Sequence, residues 1–159
     1  MTEFKLLILL LVANGAPVLA WDLLQDRFAL PVDFGLNFTD GRPLLGPSKT
    51  WRGVFASLAA TSLCALALGF SWQVGVTVSG GAMAGDVFAS FIKRRLGVDP
   101  SERALGLDQI PESLFPLVLV KAKCHLDLGA ILQLIFLFSF LELTLSPVLY
   151  RLGLRKRPY

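Results

Sequence analysis

The chain has 159 residues, 54% of them hydrophobic and only 17% charged, with a mean hydropathy of +0.63. That balance excludes an ordinary soluble domain, whose surface would need many more polar side chains. The net charge of +3 and isoelectric point near 9.1 arise from basic residues gathered between apolar blocks, so they do not argue for a nucleic-acid partner.

The first apolar block, Phe4 to Ala20, imitates a secretory leader in its Lys5, its apolar run and Val18-Leu19-Ala20. Glu3 offsets the charge and Asn14-Gly15-Ala16-Pro17 interrupts the run, so the segment is read as a retained helix. Pro17 should kink it, because it cannot donate to the Ala13 carbonyl. Asn14 then becomes a candidate to line a cavity or to hydrogen-bond across helices. The loop from Trp21 to Arg52 is rich in turn formers (Pro31, Gly35, Asp40-Gly41, Pro43, Gly46-Pro47) yet keeps Phe28, Phe34, Leu36 and Phe38. That mixture predicts an ordered lid or short interfacial pieces rather than a flexible linker.

Val54 to Phe70 and Val74 to Ile92 form the second and third blocks, joined by Ser71-Trp72-Gln73. A second polar loop, Lys93 to Asp108, follows. The fourth segment, Ile110 to Val120, is short and carries Pro111 and Pro116; it spans only if tilted or if it extends through Gln109 and Lys123. Leu126 to Tyr150 is the fifth, reached through Cys124-His125. The four long blocks each match ~30 Å of hydrocarbon.

Charge sets the orientation. Twelve of the 15 Lys and Arg fall in three groups: Arg27, Arg42, Lys49 and Arg52; Lys93, Arg94, Arg95 and Arg103; Arg151, Arg155, Lys156 and Arg157. Only Lys5, Lys121 and Lys123 fall opposite. The positive-inside rule makes the twelve cytoplasmic, which requires five spans. The expected fold is an all-α integral membrane protein with five transmembrane helices, N-terminus outside and C-terminus cytoplasmic. Residues 1–159 form a single membrane domain with cytoplasmic loops 21–52 and 93–108. Cys64 and Cys124 lie at different depths and give no disulfide framework.

Chemistry concentrates at the cytoplasmic ends. Asp86 lies some ~18 Å along the third span, where an ionisable group reads as functional unless it is merely capped. Asp86, Ser90, Lys93 and Arg94 share one helical stripe running out to the cytoplasm. Gly46-Pro47-Ser48-Lys49-Thr50 leads into the second helix; it lacks the full phosphate-loop pattern but supplies Lys49, Thr50 and a helix N-terminus, a workable anion site. A snorkelling belt of Lys49, Trp51 and Arg52 is the plainer alternative. Asp108-Gln109 is either a helix cap or a return to the Asp86 interface. Two carboxylates, Asp86 and Asp108, near several cations suit a Mg2+ ion shared with phosphates. Ser79-Gly80-Gly81-Ala82 and Ala84-Gly85 should let neighbouring helices approach closely. Glu142 is either a second cavity acid or a shielded structural one.

On these residues the sequence resembles the CDP-archaeol synthase family of membrane cytidylyltransferases, relatives of the CDP-diacylglycerol synthases. The matching pieces are Asn14 to Val18, Asp40 to Gly46, Lys49 to Gly53, Gly85-Asp86, Ser90 to Gly97, Leu107-Asp108-Gln109 and the tail Arg157-Pro158-Tyr159. The chain departs from the family's pattern at Gly46-Pro47-Ser48 and at Pro111-Glu112-Ser113, where an apolar run is usual. The resemblance implies a five-helix fold and a Mg2+-dependent site open to the cytoplasm of the cell membrane. It implies transfer of CMP from CTP to a lipid phosphate, with Asp86, Lys93 and Arg94 catalytic and Asp86 and Asp108 holding the metal. Asn14, Lys49, Thr50, Ser90 and Gln109 are then the substrate-binding candidates, and CTP, the lipid phosphate and membrane lipids the partners. The oligomeric state is open, a homodimer included. The rival expectation is a small transporter or channel subunit with Asp86 and Glu142 along an ion path. A transporter predicts polar residues across the full depth and often repeated halves, and the sequence shows neither.

Overall fold

The computed structural model describes residues 1–99, 102, 104 and 106–151, with side chains as far as residue 145. Arg103 and the tail residues Arg155, Lys156, Arg157, Pro158 and Tyr159, used in the sequence reading, lie outside the described residues. The fold is all-helical: α1 (Thr2–Leu24), α2 (Trp51–Ala67), α3 (Trp72–Arg95), α4 (Gln109–Cys124) and α5 (Leu128–Arg151). Within the described residues α1, α3 and Leu128–Leu145 of α5 are long and apolar enough to cross a membrane, and α2 is a shorter apolar helix. The boundaries shift slightly from expectation. The polar loop spans 25–50 rather than 21–52, Trp72 and Gln73 open α3, and Cys124 closes α4.

α3 is the central helix and packs against α1, α2 and α4. Glycines permit this. A Cβ on Gly75 would lie 2.5 Å from Ser62 Cα of α2, on Gly81 2.6 Å from Pro116 Cα, and on Gly85 2.2 Å from the Pro111 carbonyl oxygen. Backbones in van der Waals contact give the dispersion that holds membrane helices together where lipid offers no hydrophobic drive. α4 is one continuous helix despite its two prolines. Pro111 stands in the first turn, where its missing N–H would have had no partner; Pro116 fills the groove that Gly81 opens. An apolar core of Leu6, Leu9, Leu10, Val78, Leu117 and Phe138 closes the opposite half.

The carbonyl that Pro17 orphans in α1 finds a partner. Pro17 leaves the Ala13 carbonyl without its helical donor, and the buried Ser57 hydroxyl of α2 donates to that oxygen at 2.8 Å. Gly53 keeps α2 close enough, since its Cβ would sit 3.2 Å from Pro17 Cβ.

The 25–50 loop is ordered, as its composition predicts, around a carboxylate that sequence reasoning passed over. Asp33 accepts from the backbone N–H of Gly35 at 3.0 Å, Leu45 at 2.9 Å and Gly46 at 3.1 Å. Burial alone would raise its pKa; these amides outweigh that and hold it below the ordinary carboxylate value. The Val32 N–H donates to the Lys49 carbonyl and the Trp51 N–H to the Leu30 carbonyl, so the loop delivers Lys49 to α2 in a fixed register. Thr50 caps α2, its hydroxyl accepting from Gly53 N–H at 3.3 Å.

Candidate active site

Where α3 and α4 touch at Gly85 and Pro111, three polar side chains converge. Asp86, the next residue of α3, accepts from Lys49 Nζ at 2.6 Å, with both side chains about one-fifth exposed. The buried Glu112, the next residue of α4, lies against the Asp86 carboxyl. Two carboxyls in contact repel unless a proton or a cation is shared between them. Lys49 supplies one positive charge. Burial disfavours its ammonium, but Asp86 and then Glu112 outweigh this and its pKa rises above the ordinary lysine value.

Further out on the same stripe of α3, the buried Lys93 pairs with Asp108 Oδ1 at 2.7 Å and donates to the Glu102 carbonyl at 3.0 Å. Asp108 Oδ2 also accepts from the Ala104 N–H at 3.0 Å. Arg94 is 3% exposed, and its Nε and Nη1 are buried with no hydrogen-bond partner among the described residues. A buried guanidinium left unsatisfied is expensive, and such donors are chemically suited to an anion. Ser90 is buried one turn beyond Asp86. The predicted stripe therefore exists, with Lys49 from the loop and Glu112 from α4 added to it.

A latch fixes the outer rim. Arg42 Nη1 donates to the Arg94 and Arg95 carbonyls at 3.2 and 3.1 Å, capping α3. Arg95 answers with Asp40 at 2.8 Å and the Pro43 carbonyl at 2.6 Å, stacked over Phe38 and Phe91. Gly97, at φ +79°, lets the chain turn beneath Arg42.

Other candidates stand differently. The Asn14 amide donates to the Leu10 carbonyl of its own helix at 3.0 Å. Gln109 accepts from Gly106 N–H at 2.9 Å and so shapes the start of α4. Thr50 is engaged as the α2 cap. Glu112, read in sequence only as a departure, had one available signal: it lies four residues after Asp108, hence on the same helical face. Its contact with Asp86 depends on the glycine crossing.

The carboxyls and cations fit a metal–phosphate site. Mg2+ takes oxygen ligands, and commonly only one or two protein carboxylates with phosphates completing its shell. Asp86 with Glu112 beside it offers such a set, while Asp108 is engaged by Lys93 and the Ala104 amide. Among the described residues no cluster of three or more carboxylate, imidazole or thiol groups forms an all-protein metal cage.

Known proteins bear on this geometry. A CarS-like family model, described as CDP-archaeol synthase, matches residues 6–74 and 67–159. The CDP-archaeol synthase of Hyperthermus butylicus is 45% identical over 109 residues, which span 63% of this chain and 60% of that relative's length. That of Sulfurisphaera tokodaii is 35% identical over 155 residues, 94% of this chain and 90% of the relative. A solved structure described as an intramembrane enzyme for archaeal membrane lipids biosynthesis superposes with a TM-score of 0.76 at 33% identity, covering 89% of this chain and 90% of that one.

Proposed function

Because the chain belongs to the CDP-archaeol synthase family and is a membrane-associated nucleotidyltransferase, we propose that it transfers CMP from CTP to an ether-linked lipid phosphate. The products are a CDP-lipid and pyrophosphate. The name its relatives carry supports the ether-linked acceptor. The observation that carries the reading is the Lys49–Asp86–Glu112 cluster, with Lys93 and the unsatisfied Arg94 on the same stripe.

An oxygen of the lipid phosphate attacks the α-phosphorus of CTP. A new P–O bond forms as the bond to the β-phosphate breaks, and pyrophosphate leaves with the electron pair. The acceptor is already anionic near pH 7, so no residue needs to remove a proton. Positioning and charge neutralisation carry the reaction. Lys49, released from Asp86 when phosphate enters, neutralises the triphosphate; Arg94 donates its two unsatisfied nitrogens to it. Asp108 holds Lys93 extended toward the same charge. Asp86, with Glu112, would hold Mg2+, which when bound offsets the negative charge of the phosphates. Asp108 would join the metal set only by exchanging Lys93 for the ion. Ser90 is a further donor along the stripe, and Asn14, Thr50 and Gln109 act by shaping the walls.

The cluster is placed at the cytoplasmic face, with five spans and the N-terminus outside. The asymmetric distribution of Lys and Arg supports this. The protein is then a multi-pass component of the cell membrane. Conversion of labelled CTP by the full chain in detergent, with Mg2+ and a panel of lipid phosphates, tests the reading. A CDP-lipid should form with an ether-linked acceptor and disappear on chelation. Folded protein that yields no such product with any acceptor would refute it.

A further inference from the structure

The stretch from Phe28 to Phe38 is too apolar for a loop that lies in water. Phe28, Leu30, Phe34 and Leu36 are each between 53% and 78% exposed. Soluble surfaces rarely gather bulky apolar side chains so closely. Phe28 and Phe34 also stand at φ of +57° and +52°. Bulky residues avoid that region, and they stay in it only where the surroundings enforce it. The fold therefore maintains two strained turns whose aromatic rings remain outward.

The same stretch has withdrawn the groups that would need water. Its one charged residue is Asp33. That carboxylate is turned inward onto the Gly35, Leu45 and Gly46 amides and is 5% exposed. The N–H groups of Val32, Phe34, Leu36 and Phe38 donate to the Lys49, Pro31, Asp33 and Arg42 carbonyls, and the Leu30 carbonyl accepts from Trp51. Charge hidden and backbone paired are what a segment needs when it leaves bulk water.

Its position supplies the partner. Phe28 and Leu30 line a groove with Leu24 of α1 and with Trp51 and Phe55 of α2. The apolar surface of the loop is thus continuous with the membrane-facing surface of α2, where Phe55 is 64% exposed. Trp21 and Trp51 stand at that junction, and such residues settle at the level of the headgroups.

We propose that Phe28 to Phe38 forms an interfacial ridge, with Phe28, Leu30, Phe34 and Leu36 seated among the phospholipids of the leaflet beside α1 and α2. The loop then rests on the bilayer instead of standing in water. The ridge meets the lipid surface as a whole and selects no single lipid. Because Leu30 and Val32 are bonded to Trp51 and Lys49, seating the ridge also fixes the height of Lys49 relative to the membrane plane.

The test reconstitutes the full chain in phospholipid nanodiscs and reads depth with a nitroxide label. In a Cys64→Ala, Cys124→Ala chain, single labels are attached through Phe28→Cys, Phe34→Cys or Leu36→Cys. Phe55→Cys gives the lipid reference, and the exposed Asp99, as Asp99→Cys, gives the water reference. The ratio of collisions with dissolved oxygen to collisions with a water-soluble nickel chelate should be severalfold higher at 28, 34 and 36 than at 99. It should approach the ratio at 55. A ridge label that meets the chelate as freely as the label at 99 would overturn the proposal. A label shielded from both reagents would overturn it too, in favour of a covering protein surface such as a second copy. The unsubstituted chain gives a reading that no labelling defect can imitate. Phosphatidylcholine carrying a carbene precursor near its headgroup should crosslink to the Phe28–Phe38 peptide on irradiation, and crosslinks confined to the helices would refute the ridge.

Discussion

Asp33 and Asp86 are both enclosed carboxylates within a few residues of a glycine, and they are held in opposite ways. Three backbone amides fix Asp33; two side chains, Lys49 and Glu112, hold Asp86. Amides belong to the chain and cannot leave without unfolding the loop. A lysine on a flexible stem can swing away and a carboxyl can take a different partner, so the Asp86 cluster can exchange its contacts for phosphate and metal. The partner's freedom to move, more than the acid's burial, separates a structural carboxylate from a reactive one.

The strongest way to break the comparison is to neutralise each acid without changing its shape. Asp86→Asn should lower CTP turnover by at least ~100-fold, the scale of losing a principal electrostatic contributor, while thermal unfolding in detergent barely moves. A large drop in melting temperature instead would make Asp86 as structural as Asp33. Asp33→Ala is the mirror experiment: it strands three backbone N–H groups, two of them buried, and should lower stability by about 2 kcal/mol, read as a lower midpoint and faster proteolysis within 25–50. Retained stability would mean the loop does not depend on that carboxylate.

Acid sharpens the same contrast. The pKa of Asp33 is lower in the folded chain than its ordinary value of 3.8. Its contribution is therefore complete above that value and is lost as pH falls toward and through the folded pKa. Loop proteolysis should rise in that acid window in the wild-type chain, and Asp33→Asn should lose this component of the pH dependence.

Lys49→Ala should raise the KM for CTP by about tenfold, the scale of one charge-assisted contact, with a smaller change in kcat. An unchanged KM would return Lys49 to a purely interfacial role. The smallest effect is expected at the latch. Arg42→Ala removes two hydrogen bonds at a partly exposed rim and should cost about 1 kcal/mol, with faster cleavage at Asp40-Gly41 and near-normal kcat. A collapse of kcat would show that the latch sets the geometry of Lys93 and Arg94.

The sequence disclosed the helices because apolar block length is a local property, and it disclosed the α3 stripe because Asp86, Ser90, Lys93 and Arg94 follow a fixed 3.6-residue period. It disclosed that Ala13 would lose its donor to Pro17, but not that Ser57 would supply one. Lys49 was legible as a cation near a helix start, without its partner. Glu112 was read only as a departure from an apolar pattern, and Asp33 was passed over, because each is defined by groups distant in the chain. Periodicity, charge asymmetry and proline placement act within a few residues, so the sequence by itself determined the helical elements and the residues of the stripe. Contacts between elements depend on which backbones can approach, and Gly81 and Gly85 against Pro116 and Pro111 decide that. Only that tertiary crossing joined Asp86 to Glu112.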